Sequence, residues 1–212
     1  MEPYDPEYPV VCFDERPCFL IGNRVEGLEM EPGKVAKEDY SYTKHGSCAA
    51  LAAIEPLTGR RFVHVKAQRR KIEFATFMQE LSNQYPNAKR IRLVLDNLNT
   101  HRYESLYDHF DAEAAYEIMR KIEFIFTPKS ASWLNMIEIE FSALARNCLN
   151  RRIPSQDELE KEVQAFFKER TEKQIKIKWQ FTSQAARKKL NSRYAKVNKI
   201  NKNTSNLFTH CT

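Results

Sequence analysis

Residues Ile91 to Asn97 read IRLVLDN, a short run of Ile, Leu and Val that leads straight into an aspartate and an asparagine. A brief apolar stretch bounded by polar residues is the pattern of a buried strand, and an acid that closes it falls at the strand's carboxyl end. Downstream, Glu123 to Phe126 (EFIF) is a second run of this kind, ending at Thr127 and Pro128. Between the two, Leu106, Ala114, Ala115, Ile118 and Met119 mark a helical stretch. Strand, helix and strand in that order describe a parallel crossover.

Upstream, Val10 to Glu15 (VVCFDE) has the β-branched and aromatic content of a short buried strand, and Arg16-Pro17 interrupts the pattern. Asp14 is therefore expected at that strand's end. Met30 to Gly33 (MEPG) is turn chemistry. Gly46 to Ile54 (GSCAALAAI) and Arg61 to Val65 (RFVHV) flank the turn EPLTGR, which predicts a hairpin. From Lys71 to Tyr85 the residues Ile72, Phe74, Ala75, Phe77, Met78 and Leu81 form a helical stripe that stops at Pro86.

Beyond the last strand, Leu134, Ile137, Phe141, Leu144 and Cys148 recur at three- and four-residue intervals, predicting an amphipathic helix from about Trp133 to Asn150 with Glu138 beside the apolar stripe. Ser155 and Glu158 make a capping-box pattern ahead of Leu159, Val163, Phe166 and Phe167, so another helix starts there. A short basic helix from Ser183 to Arg193 and a polar, aperiodic tail complete the chain.

These elements predict an α/β fold, a mixed five-stranded sheet flanked by helices with a helical basic extension at the carboxyl end. Its core domain is expected over residues 1–153, the extension of the same domain over 154–195 and a disordered tail over 196–212. In such a sheet strands one and four are parallel neighbours whose carboxyl ends share an edge. Asp14 and Asp96 then meet in the crevice beyond the strand ends, and Glu138 reaches them from the last core helix.

With 212 residues, 42% of them hydrophobic, the chain is long enough for one well-buried core. The net charge of +6 is modest, but residues Lys168 to Lys202 hold twelve Lys or Arg against two Glu, so that stretch carries +10 and the remainder −4. Lys176, Lys178, Arg187, Lys188, Lys189 and Arg193, interleaved with Trp179, Phe181 and Tyr194, suit contact with a phosphate backbone; a solvated face is the plain alternative. No apolar run has the length of a membrane span and the amino terminus has no signal pattern, which predicts a cytoplasmic protein without membrane contact. The five cysteines are scattered and never spaced CxxC, as expected of reduced, mostly buried thiols.

Three convergent carboxylates repel one another unless cations offset their charge. A set of hard oxygen donors without His or Cys suits Mg²⁺ or Mn²⁺, and two such ions would stand ~3.5–4 Å apart. One would activate an attacking water or 3′-hydroxyl and the other would stabilise the leaving oxygen of an in-line phosphoryl transfer. Glu140 is the rival third acid, but two residues along a helix turn it about 200° from Glu138. Asn97, His101 and Asn135 are candidates for supporting contacts; Asn97 reads equally well as a helix-start residue, and His101 as a histidine bonded to nearby backbone. Trp133 is expected to be a packing anchor. Glu15 points to the face opposite Asp14, where a charge is usually solvated or paired with an Arg. His45, His64, His109 and His210 share no ligand spacing.

The strings VVCFDERP, LVLDNLNTH and TPKSASWLNMIEIEF together resemble the three catalytic blocks of bacterial insertion-sequence transposases related to the mariner elements, over about Val10 to Thr182. The resemblance implies a ribonuclease H-like fold and a DDE triad, with Asp14, Asp96 and Glu138 supplied by the three blocks in turn. It implies cleavage of double-stranded DNA at mobile-element ends and joining of the 3′-hydroxyl to target DNA, by a homodimer. Forty-one residues separate Asp96 from Glu138, longer than in many relatives, and the excess (DAEAAYEIMRKI) reads as helical. Relatives also carry an amino-terminal helix-turn-helix region, so the chain reads as truncated or split, with a separate helix-turn-helix chain as a candidate partner. Two other functions fit the same residues: a non-catalytic DNA-binding remnant, and a different ribonuclease H-like nuclease acting on branched DNA or RNA–DNA hybrids.

Overall fold

The computed structural model describes residues 3–25, 33, 40–128, 131–182, 184 and 188. Five strands are present among them: β1 (Val10–Asn23), β2 (Tyr42–Ile54), β3 (Arg61–Lys66), β4 (Ile91–Leu95) and β5 (Ile122–Phe126). The helices are α1 (Lys71–Asn83), α2 (Glu104–Tyr107), α3 (Ala112–Lys121), α4 (Ile137–Asn147) and α5 (Gln156–Glu172), with a 3-10 turn at Ser132–Leu134. The sheet order is β3-β2-β1-β4-β5, antiparallel from β3 to β1 and parallel from β1 through β4 to β5. The mixed five-stranded sheet flanked by helices is thus the one expected. No helix among the described residues is long and apolar enough to cross a membrane, and Cys12, Cys18, Cys48 and Cys148 are buried and free.

Alternation along the strands divides the core into two layers. Val11 and Phe13 of β1, Leu51 of β2 and Leu93 of β4 join Phe74, Met78 and Leu81 of α1 on one face. Cys12, Ala50 and Ala52 join Ile137, Phe141 and Leu144 of α4 and Leu159, Val163 and Phe167 of α5 on the other. Successive side chains point to opposite faces, so both sides of β1 and β2 are buried at once. Phe13 sits with its ring centroid 5.7 Å from that of Phe74 and 5.0 Å from that of Phe77. Burying one such side chain contributes about 1.5–3 kcal/mol.

The structure corrects three local expectations. β1 does not end near Asp14 but continues through Pro17 to Asn23, pairing with β2 from Cys12 onward. Its pairing with β4 covers only Val10 to Cys12, so past that point one side of β1 has no ladder to satisfy, and a residue without an N–H is tolerated there. The crossover helix is two helices, because the Asp111 carboxylate accepts from the Ala114 N–H at 2.8 Å and starts α3 anew. The helix predicted from Trp133 begins at Ile137, after the 3-10 turn, and Trp133 is 52% exposed, which excludes the packing anchor expected of it. At α5 the Ser155 hydroxyl accepts from the Glu158 N–H at 3.3 Å, the expected cap.

The chain divides into two compact units, Met1–Ile177 and Lys178–Thr212. In the second, the rings of Trp179 and Phe181 meet edge to face with centroids 6.0 Å apart. Most of the predicted basic helix, including Arg187, Lys189 and Arg193, lies outside the described residues, as does the 196–212 tail.

One ion-pair network fastens the second layer. Glu140 on α4 is 1% exposed and takes two hydrogen bonds from Arg61 of β3, both 2.9 Å, and two from Arg170 of α5, 2.8 and 3.0 Å. Arg61 also donates to the carbonyls of Gly59 and Ile175, each at 2.5 Å. Gly59 has φ +83° and a Cβ there would stand 3.0 Å from the Ile175 carbonyl oxygen, so glycine is required beside this knot. Burial alone would raise the Glu140 carboxyl, but the two guanidinium groups outweigh it and hold the pKa below its ordinary value.

Removing the carboxylate strands a fully buried guanidinium, a loss on the order of 3–5 kcal/mol. Glu140→Ala should therefore lower Tm by roughly 10 °C in a thermal melt at neutral pH. Because the folded pKa is depressed, the stabilisation is present above the unfolded carboxylate pKa and vanishes as pH falls through the folded one. The gap between native protein and Glu140→Ala should accordingly close in acid; a gap independent of pH would contradict the ion-pair account.

Candidate active site

β1 and β4 run parallel with Val10 opposite Arg92, Val11 opposite Leu93 and Cys12 opposite Val94. Past the last pair Asp14 keeps the phase of Cys12 and Asp96 that of Val94, so both belong to the same face, and the charge of Asp96 reaches Asp14. α4 packs on that face through Ile137, Phe141 and Leu144, and Glu138 lies in its first turn, exposed. A negative charge at a helix's amino end is favoured by the exposed N–H groups there.

Each aspartate has one oxygen held by the protein. Asp14 Oδ1 accepts from the Glu15 N–H at 2.7 Å, and Asp96 Oδ1 is 2.6 Å from Nδ1 of His101. The second oxygen of each takes no hydrogen bond among the described residues. The Asp96 side chain is 32% exposed while His101 beneath it is fully buried. His101 therefore touches an acid of the candidate site as well as backbone, its Nδ1 also lying 3.3 Å from the Asp96 carbonyl oxygen.

The Asp14 carboxyl is pushed up to about 6, first by burial and then by the charges of Asp96 and Glu138, against the Glu15 N–H and His101, which pull it down. For His101 burial works downward, but the nearby carboxylates of Glu15 and Asp96 prevail and raise its pKa. The three acids thus act on one another electrostatically. They are not gathered around a single point, since no group of three or more His, Cys, Asp or Glu among the described residues has metal-ligand geometry. In donor chemistry the set fits a divalent cation: all oxygen, negatively charged, destabilised by mutual repulsion and open to solvent.

The remaining predicted residues separate cleanly. Asn135 is fully buried and donates from Nδ2 to the carbonyl of Phe13 at 2.7 Å, tying the start of α4 to β1 one residue before Asp14. Asn97 is exposed. Glu140, held by Arg61 and Arg170, is unavailable to the site. Glu15 points away from Asp14 as expected and, of the two alternatives, is the one paired with an Arg: it is buried, with Arg69 at 4.0 Å and His101 at 3.6 Å. The signal for it was its phase, since it continues the buried row of Val11 and Phe13. Lys176, Lys178 and Lys188 are exposed. A cavity of about 710 Å³ lined by Tyr4, Tyr8, Arg92 and Met136, among others, includes none of the three acids.

A folded-state pKa of about 6 against about 4 in the unfolded chain means that the native state binds this proton more tightly, so stability falls as pH rises across that interval. In EDTA, Asp14→Asn should raise stability at pH 8 by on the order of 1–3 kcal/mol, allowing for solvent screening at the open edge. The advantage should be gone at pH 4. A lower Tm for Asp14→Asn at pH 8 would mean that neither burial nor the neighbouring charges destabilise the Asp14 carboxylate.

The DDE superfamily endonucleases match residues 9–160, well over half of the chain. No curated protein matches it in sequence. Among solved structures it is similar to a Mos1 transposase paired-end complex with left transposon end, at 12% identity and TM-score 0.54 over 76% of this chain and 48% of that one. A Mos1 mariner paired end complex with Mn gives 14% and 0.52 over 78% and 49%, and the Mos1 strand transfer complex 13% and 0.51 over 76% and 48%. The chain spans about half the length of these structures. At such identities the likeness is one of fold, the ribonuclease H-like sheet and helices described above. Taken with the match over residues 9–160, these observations establish that the chain belongs to the DDE superfamily endonucleases.

Proposed function

We propose that the chain is a transposase catalytic domain, which cleaves double-stranded DNA at the ends of a mobile element and joins the freed 3′-hydroxyl to target DNA, with Asp14, Asp96 and Glu138 as its catalytic acids. The observation that carries this reading is the placement of the three acids: Asp14 and Asp96 follow the paired segments of two parallel neighbouring strands, and Glu138 lies in the first turn of the helix packed on the same face. Acids that repel each other without a cation are acids poised to take one up. Of the similar structures, one is a paired-end complex with left transposon end and another a paired end complex with Mn.

Asp14 and Asp96 would hold Mg²⁺ or Mn²⁺ through the oxygens left open by their protein hydrogen bonds, with Glu138 completing the set from α4. Bound there, the two cations of this reading would supply activation of an attacking water or 3′-hydroxyl and stabilisation of negative charge on the leaving oxygen. The protein's share is placement. The parallel ladder of β1 and β4 would align the strand ends that bear two acids, Asn135 ties the start of the helix that bears the third to β1, and His101 holds one oxygen of Asp96. The exposed Lys176, Lys178 and Lys188, with Arg187, Lys189 and Arg193 of the same basic stretch, would hold the DNA backbone. Assembly as a homodimer, and help from a separate helix-turn-helix chain in reading the element ends, belong to the same proposal.

Nicking of supercoiled plasmid and joining of labelled 3′ ends should require Mg²⁺ or Mn²⁺, and Asp96→Asn should fall to the EDTA background. Glu140 variants that still fold should retain their metal requirement. DNA binding without cleavage under every metal condition would point instead to a binding remnant, and preferential cutting of RNA–DNA hybrids to a different nuclease. If the basic stretch meets phosphates, log affinity for duplex DNA should fall linearly with log salt, with a slope reduced by about 0.9 for each phosphate-contacting Lys or Arg replaced by Ala.

A further inference from the structure

Asp14 and Glu15 are consecutive on β1 and project to opposite faces of the sheet. The Glu15 side chain is 2% exposed, and neither of its oxygens has a hydrogen-bond partner among the described residues. A buried carboxylate without hydrogen bonds is destabilising, because nothing replaces the solvation it gives up. Its nearest charged neighbours are Arg69, Nε 4.0 Å from Oε2, and His101, Nε2 3.6 Å from Oε1. His101 is enclosed by Phe74 and Phe13, with ring centroids at 4.9 and 5.4 Å, and its Nδ1 lies 2.6 Å from Asp96 Oδ1. One buried imidazole is therefore bracketed by two carboxylates, one from the core side of β1 and one at the open edge.

That arrangement fixes the ring in a way that neither acid achieves alone. Each ring nitrogen faces a carboxylate oxygen, Nδ1 at hydrogen-bond distance from Asp96 and Nε2 at 3.6 Å from Glu15 without a hydrogen bond, and a half-turn of the ring would set a C–H against each carboxylate. Asp96 cannot serve as the fixed reference, since it is the group that needs holding. Glu15 can, because the β1 backbone that positions it is anchored in both core layers.

We propose that Glu15 is a positioning residue for cation binding: through His101 it holds the Asp96 carboxylate with Oδ1 engaged and Oδ2 free for a divalent cation. The inference rests on the reading of Asp96 as a cation ligand. It explains why the fold keeps a buried acid that contributes no hydrogen bond, and it makes one strand responsible for both aspartates, for Asp14 directly and for Asp96 by way of the imidazole. Contacts of this kind behind a metal ligand typically change metal affinity 10–100-fold.

The test uses the full chain and its variants Glu15→Gln, Glu15→Leu, His101→Phe and the double variant Glu15→Gln/His101→Phe, with Asp96→Asn as reference. Thermal melts in EDTA, the ring nitrogen resonances of His101 in EDTA, and Mn²⁺ affinity by paramagnetic titration are measured for each. Glu15→Gln should keep or raise Tm, move the Nε2 resonance and weaken Mn²⁺ binding about 10-fold or more. The double variant should be no weaker than His101→Phe alone, since the two residues act in one chain. Glu15→Leu serves if the Gln variant fails to fold. Native Mn²⁺ affinity in Glu15→Gln, together with binding lost in Asp96→Asn, overturns the inference and leaves the catalytic reading standing; so does a lowered Tm with unchanged affinity, the mark of a structural role. Absence of Mn²⁺ binding by the native protein overturns both.

Discussion

The short parallel ladder between β1 and β4, three residue pairs from Val10–Arg92 to Cys12–Val94, is the constraint on which the candidate site depends. A strand slipped by one residue exchanges its two faces. For β1 that slip would send Asp14 to the α1 layer and bring Glu15 to the α4 layer, reversing which acid meets Asp96. The register is held because both layers select it, with Val11 and Phe13 filling one and Cys12 and Cys18 the other. The ladder also ends early. Beyond Cys12 the strand keeps only β2 as a partner, which leaves Asp14 on an edge open to solvent instead of sealed inside a sheet.

α4 solves a different electrostatic problem with the same residue type used twice. Glu138 and Glu140 are two positions apart and about 200° around the helix. One is exposed and its charge reaches Asp14, and the other is buried between two guanidinium groups. The second holds the helix that carries the first: Arg61 reaches Glu140 from β3 and Arg170 from α5, so α4 is fixed from two elements at once. At its start, Asn135 bonds to the Phe13 carbonyl and sets the distance to β1. Attraction in the core thus holds in place a helix whose first turn presents a repelled charge.

Much of this was legible in the sequence because it is local. Strand runs, the EPLTGR hairpin, the α1 stripe and the Ser155 cap depend on neighbouring residues, and the structure has each of them. What was not legible depends on distant partners. Pro17 looked like the end of a strand, and whether it is depends on β4 having already parted from β1. Trp133 looked like the opening of an amphipathic helix, yet α4 begins four residues later. Asp111 was a local cap signal, but the helical spacing on either side masked it. At the candidate site the three acids were found by their strings, whereas His101 and Asn135 stayed ambiguous until their partners, Asp96 and the Phe13 carbonyl, were in place. Glu15 was passed over because an acid facing away from a site is usually solvated. Its phase with Val11 and Phe13 pointed the other way.

The distribution of unfavourable groups is itself informative. Asp14 is kept above its ordinary pKa, Glu15 is buried without a hydrogen bond, and both lie on one strand at one step of the register. A sequence selected for stability alone would replace either with a neutral residue of similar size, since unpaired buried charge is seldom stabilising. Natural folds depart from local consistency mainly where function requires it, and compensate elsewhere. Here the compensation is visible in the Glu140 network and in the doubly buried β1 and β2. The rigid part of the molecule is built around the strand that carries its least favourable charges, so a change that loosens β1 disturbs Asp14 and, through His101, Asp96 together, whereas a change confined to α4 reaches Glu138 alone.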